Sequence, residues 1–201
     1  MAEPLRAHDC APVGDGAAVV IMASAQRARD LCARPAWITG FAHRIDSGSL
    51  GARDLLAVPS AAAAARAAGV GSARATAGVA PVEIAPVEVA PVEVAPVEVA
   101  PVEVAPVEVA PVEVAPVEVA ELHAPFTHQE ILLGEALGLG DGVVVNPSGG
   151  ALCGNPMFAA GLARIGMAAQ AVMSGQAQRA LGHATSGPAL QQNLVCVLEA
   201  Q

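Results

Sequence analysis

Asn146-Pro147-Ser148-Gly149-Gly150 leads through Ala151-Leu152-Cys153-Gly154 into Asn155-Pro156 and on to Met157-Phe158-Ala159-Ala160-Gly161-Leu162-Ala163-Arg164. The pattern is a glycine-rich turn that opens a helix. Ser148 to Gly150 allow a tight backbone with exposed N–H groups, and Asn155-Pro156 reads as an N-cap followed by proline at the first helical position. A helix start of this kind is a ready site for negative charge, because its first N–H groups lack intrahelical partners and the dipole adds to them. A well-capped buried helix with no ligand fits the same residues, and both readings stand on the local pattern alone. Asn155 can donate a hydrogen bond but cannot serve as a general base near neutral pH. His123, at the expected end of a strand, suits a role in orienting water or stabilising an oxyanion, with a purely structural histidine as the alternative. Ser186 has no adjacent base, so as a nucleophile it is weak, although His183 lies three residues earlier. Cys153 lacks a local base and reads as a buried structural thiol.

These residues need a scaffold, and the chain supplies one once a low-complexity tract is set aside. Residues 81–120 are eight copies of Pro-Val-Glu-Val-Ala, the first with Ile84 in place of valine. They hold eight of the nineteen acidic residues, so taking those eight from the formal charge of −9 leaves −1. The acidity is local and says little about partners. About 160 residues remain, enough for one domain with a proper core. Proline at every fifth position removes a donor and an odd period turns the side chains over with each unit, so the tract reads as extended, polyproline-like chain. A spacer and an adhesive tract are functional alternatives to a tandem expansion without function. The last copy differs, because Pro116 to Ala120 runs directly into Glu121-Leu122-His123 and can supply a native strand. The domain organisation expected is therefore 1–80, an insert at 81–115, and 116–201, with the extra copies entering at the end of the sheet opposite His123.

Along the remainder, Ala17 to Met22 reads as a buried strand. Ser24 caps a short helix reaching Cys32, and a strand runs from Trp37 to Ala42, where Gly40 marks close packing or a bulge. Ser60 caps an alanine-rich helix to about Ala68, ended by Gly69. Thr127 caps a helix from His128 to about Leu137. Residues 143–146 form a short strand whose valines 143 to 145 read as buried, Pro156 to about Met173 a helix apolar nearly all round and hence buried, and Arg179 to Ala184 and Gln192 to Glu199 two final strands. This is an α/β layer with a mixed sheet.

Cysteines 10, 32, 153 and 196 have neither CxxC spacing nor zinc-type histidine partners. No metal site is expected, and a reduced, cytoplasmic chain fits best. Met1 to Cys10 lacks the apolar core of a secretory signal, and no run of about eighteen uncharged apolar residues exists for a membrane span. No basic patch interleaved with aromatics supports nucleic-acid binding.

With the repeat collapsed to one unit, the ordered set is Asp9-Cys10-Ala11-Pro12-Val13-Gly14-Asp15-Gly16-Ala17-Ala18, Glu121-Leu122-His123-Ala124-Pro125-Phe126, Asn146-Pro147-Ser148-Gly149-Gly150, Gly182-His183-Ala184-Thr185-Ser186-Gly187 and Leu194 to Glu199. This order resembles the C-terminal half of the thiolase superfamily, nearest to bacterial thiolase-like proteins of the acetyl-CoA acetyltransferase or lipid-transfer type, related to sterol-carrier-type thiolases. The resemblance implies a mixed five-stranded sheet with helices on both faces, packed against a similar N-terminal half and commonly oligomeric. It implies an acyltransferase of lipid metabolism acting on acyl-CoA or 3-ketoacyl-CoA, with the CoA thioester as substrate and no further cofactor. His123 and Phe126 match the family's Asn-Glu-Ala-Phe or His-Asp-Cys-Phe motif. Asn155 falls where a Gly-His-Pro histidine lies, and Ser186-Gly187 where a Cys-X-Gly turn lies. The resemblance thus assigns His123, Asn155 and Ser186 as catalytic candidates and Phe126, Gly149, Gly150 and Gly187 to substrate or CoA binding. Cys10 belongs to a family loop and is not the nucleophile. The N-terminal half that carries the nucleophilic cysteine in this family lies outside the match, so the chain alone is expected to be inactive. Two alternatives remain beside it: a thiolase-like retro-aldolase subunit working with a partner, and a non-catalytic lipid-transfer, scaffold or truncated protein.

Overall fold

The computed structural model describes residues 3–70 and 116–201; the expected extended form of 81–115 lies outside them. Five strands form one mixed sheet: β1 (Trp37–Ile45), β2 (Val119–Glu121), β3 (Val144–Val145), β4 (Arg179–Ser186) and β5 (Gln192–Glu199), in the order β1-β5-β4-β2-β3. β5 is antiparallel to both β1 and β4, whereas β4, β2 and β3 run parallel. The C-terminal ends of β2, β3 and β4 therefore share one edge of the molecule, where open α/β sheets collect their ligand-binding residues.

Alternation along β4 and β5 sorts the core into two layers. Leu181, Val195 and Val197 meet Ala61, Ala64 and Ala65 of α2 (Pro59–Ala67) and Leu133 and Leu137 in and just after α3 (Thr127–Ala136). Ala180, Cys196 and Leu198 point the other way, onto Ala168, Ala171 and Val172 of α5 (Ala160–Met173). Helices thus cover both faces. With so few aromatic side chains, the layers close on small residues: a Cβ on Gly182 would lie 2.7 Å from the Ile165 Cα of α5. Gly40 serves both of its expected purposes. A side chain there would run into the Ala68 carbonyl, and the β1–β5 register shifts between Ile38 and Gly40.

The last pentapeptide supplies Val119 and Ala120 of β2, and its residues 116–118 lead into the strand at the end opposite His123; the expected entry point of the earlier copies lies outside the described residues. The short helix α1 (Ala25–Leu31) follows Ser24 as expected. α2 starts one residue before Ser60, with Pro59 at its first position, because the Ser60 hydroxyl is engaged by Asp46 and is not used as a cap. Likewise α3 begins at Thr127, whose hydroxyl donates to Asp9 Oδ1 at 3.0 Å.

Four expectations are corrected. Ala17 to Met22 is not a strand: it has no sheet partner, and Val19 and Ile21 are 86% and 94% exposed. Its apolar pattern is real, but it pairs with neither edge of the sheet, β1 or β3. The helix expected from Pro156 starts only at Ala160 as α5, with Ala159 at its cap, and a separate one-turn helix, α4 (Gly150–Cys153), precedes Pro156. Asn155 is therefore no N-cap. Finally, α5 is not buried all round, since Leu162, Met167 and Met173 are exposed while Arg164 is 7% exposed. The arginine is inside because a carboxylate awaits it there. β3 is also an edge strand, and half-exposed Val144 departs from the expected buried run.

Candidate functional site

His123 lies two residues past the end of β2 and is 6% exposed. Its Nε2 sits 3.1 Å from Asn155 Oδ1. An amide oxygen can only accept, so this arrangement places the proton on Nε2 and leaves Nδ1 with an unshared pair. Nδ1 is buried and makes no hydrogen bond of good geometry. Burial holds the imidazole below its ordinary 6.5; the Asn155 bond and the Thr185 backbone oppose this, and the positive charge of Arg164 adds to it. The result is a neutral, buried ring, with Nε2 on Asn155 and the Thr185 backbone beside it, at the C-terminal edge of the parallel strands.

Asn155 is held by backbone. Its N–H donates to the Pro12 carbonyl at 3.2 Å, and its own carbonyl accepts from the Gly14 N–H at 3.3 Å. Cys10 bridges to Phe126, and the Ala11 N–H donates to the Pro125 carbonyl at 2.8 Å. Residues 10–14 thus tie the loop after His123 to the segment carrying Asn155. The two catalytic candidates, some thirty residues apart, meet because both are stitched to this N-terminal strip.

The turn at Ser148-Gly149-Gly150 does not present open N–H groups. Ser148 donates its N–H to Glu121 Oε1 (3.0 Å), Gly149 to the Asn146 carbonyl (2.8 Å) and Gly150 to Ser148 Oγ (3.4 Å). The glycines are required for shape. Gly149 and Gly150 adopt φ of +91° and +58°, and side chains there would meet Cys153 and Asn146. The expected anion cradle is therefore occupied by the protein itself, and the delayed start of α5 removes the second half of that expectation.

Beneath the turn lies a buried ion pair. Arg164 Nη1 approaches Glu121 Oε2 at 3.2 Å and donates to Ser148 Oγ at 2.8 Å, while the Ser148 hydroxyl donates to Glu121 Oε2 at 2.6 Å. Asn146 adds a second clamp, accepting from the Leu122 N–H at 2.6 Å and donating to Glu130 at 2.5 Å. Sequence reading missed Glu121, Arg164 and Ser148 as partners. A signal was present: one acid and one base, each inside an otherwise apolar element, are expected to pair.

The remaining candidates separate from the pair. Ser186 ends β4 and is exposed, and Gly187 follows it at φ +74°. They share the edge with His123. His183 does not approach Ser186; it is fully buried and its Nε2 lies 2.9 Å from Asn193 Oδ1, whose amide donates to Ser60 Oγ and the Leu190 carbonyl. Burial brings His183 down to about 4. Phe126 is partly exposed and stacks on exposed His128 with ring centroids 5.7 Å apart. Cys153 is exposed and not buried as expected, because α4 turns Gly150 and Ala151 inward and leaves its last residue at the surface; Cys196 is buried with its thiol pushed up to about 11 by desolvation. Among the described residues, no cluster of histidine, cysteine and carboxylate side chains could hold a metal ion, and no helix is long and apolar enough to cross a membrane.

No protein-family model matches this chain, and no curated protein does. The site is accordingly read from its own geometry.

Proposed function

We propose that this chain is a thiolase-like acyltransferase module acting on acyl-CoA or 3-ketoacyl-CoA, completed by a partner that brings the nucleophile. The observation carrying the proposal is the His123–Asn155 pair at the common C-terminal edge of β2, β3 and β4. In the proposal the imidazole fixes Asn155 through its oxygen, and the Asn155 amide nitrogen donates toward a thioester oxygen as charge develops on it. Phe126 and the Ser186-Gly187 turn flank this pair in the proposal as binding elements, while Gly149 and Gly150 contribute the shape of the wall and not their amides. No cofactor is invoked beyond the CoA thioester.

Support for an additional subunit comes from the surface. Gly16 packs on Pro156 and Val20 lies near Gly166 of α5, while Val19, Ile21 and Met22 beside it and Leu162 and Met167 on that helix are exposed. Apolar side chains left uncovered in this number suit a surface that a partner covers. The test is incubation with acetyl-CoA followed by intact-mass measurement. The chain alone should stay unmodified, and adding a polypeptide that supplies the thiolase N-terminal half should produce an acylated half that H123A suppresses. Stoichiometric acylation of the chain by itself, or equal acylation with H123A, overturns the proposal.

Asparagine at 155 and serine at 186, neither a base nor a thiolate, favour a second reading, a retro-aldolase subunit. There a base takes the proton of a β-hydroxyl group while the electrons of the breaking carbon–carbon bond pass to the thioester as an enolate, which requires no cysteine. Product analysis with a β-hydroxyacyl-CoA separates the two: release of an aldehyde or ketone without added free CoA supports the aldolase, and strict CoA dependence excludes it. A non-catalytic lipid carrier is the outcome if neither chemistry occurs in the presence of a partner.

A further inference from the structure

Glu121 and Arg164 have no place in the chemistry above, yet they are among the most buried charged groups described. A buried ion pair is a weak source of stability, because desolvating two charges offsets most of their attraction, so its retention calls for another account. Here the pair sits two residues before His123 on one side and at the start of α5 on the other. Three bonds, from the Ser148 N–H, the Ser148 hydroxyl and the Arg164 guanidinium, converge on the Glu121 carboxylate. The ion pair at 3.2 Å ties the Arg164 guanidinium to the strand end two residues before His123, which places its charge near the ring.

We propose that Glu121 and Arg164 are positioning residues of the site: their pair clamps the Ser148–Gly150 turn to β2 and sets the charge environment in which His123 works. The inference rests on His123–Asn155 being the functional pair. The charged groups beside the ring are Arg164 from α5 and its partner Glu121 on the ring's own strand; His183 from β4 is neutral above about 4, and Asn155 and the Thr185 backbone carry no charge. Arg164 disfavours a positive imidazole.

The experiment is an NMR titration of the histidine ring protons in the full chain, with the His123 signal assigned by its absence from H123Q. R164Q should raise the His123 midpoint by roughly half a unit to one unit, the scale of one charge acting through a partly buried medium. R164K keeps the charge but loses the planar fork, and should leave the midpoint within about a fifth of that shift while speeding hydrogen exchange at the Ser148 amide. A merely structural role loosens the site in both variants and moves both midpoints upward toward 6.5. Equal shifts in R164Q and R164K, or none in R164Q, overturn the proposal. If R164Q does not fold, the decision falls to R164K, in which an upward shift like that expected for charge removal is the refuting result. No acyl-CoA enters this measurement, so failure of the acyltransferase reading and failure of the positioning role are told apart.

Discussion

His183 offers a quantitative handle on the second buried polar chain of the molecule. The perturbation is His183→Gln, chosen because the glutamine amide can still donate toward Asn193 Oδ1 but cannot titrate. In the folded protein burial holds the imidazole from its ordinary 6.5 down to about 4, against the Asn193 hydrogen bond and with help from His123. Between those two values the unfolded chain carries a proton on this residue and the folded chain does not. Unfolding therefore takes up a proton, and stability falls as pH falls through the window. The contribution is fully present above pH 6.5 and exhausted below about 4. At about 1.4 kcal/mol for each unit between the two midpoints, the wild-type chain should lose about 3 kcal/mol more than the variant across it. Because the side chain is completely buried, no discount for solvent screening applies. The assay is urea unfolding at several pH values from 7.5 to 4.5, comparing slopes and not absolute stabilities, since the substitution carries its own packing cost at neutral pH. Parallel stability curves for the two proteins would refute the reasoning, and would mean that His183 is hydrated or that Asn193 presents its amide nitrogen to a different partner.

Two further substitutions test the scaffold. Gly182→Ala places a methyl 2.7 Å from the Ile165 Cα, which only a shift of α5 away from β4 relieves; a loss of about 2 kcal/mol in denaturant unfolding is expected, with the helix content in circular dichroism retained. Asn146→Ala removes the acceptor of the Leu122 N–H and the partner of Glu130 at a residue with φ of +49°. It should cost roughly 2–3 kcal/mol and accelerate exchange at the Leu122 amide, whereas an unchanged exchange rate there would count against the clamp.

Much of the layered architecture was legible because local signals and burial agreed. Gly40 announced both a bulge and a close approach, Gly69 ended α2, and Arg179 to Ser186 and Gln192 to Glu199 alternate as a strand pair must. The failures share one cause. Ala17 to Met22 has a strand's composition, but a strand exists only through a neighbour, and periodicity carries no information about whether an edge is available. The apolar outer face of α5 misleads in the same way, because apolar residues facing solvent in this unit read identically to residues facing a core. At the site, the sequence order pointed to His123 and Asn155, and the structure brings them within hydrogen-bond distance. It could not show that the Ser148–Gly150 amides are already spent, since the acceptor Glu121 comes from a strand nearly thirty residues earlier. Nor could it show that His183 turns toward Asn193, because which face a β4 residue takes is set by register with β5.

The origin of β2 bears on how this gene can vary. The strand is drawn from the eighth of eight nearly identical units, and only its attachment to Glu121-Leu122-His123 distinguishes that unit from its neighbours. Replication slippage that adds or removes whole pentapeptides leaves the same residues beside β4, with Val119 still opposite Ala180 and Ala120 opposite Leu181. A slip of a single residue would exchange the faces of Val119 and Ala120 and turn the Glu121 carboxylate away from Arg164. Alleles differing in copy number should therefore share one sheet, and sequencing across isolates should find length changes in steps of five codons with residues 116–201 held in frame.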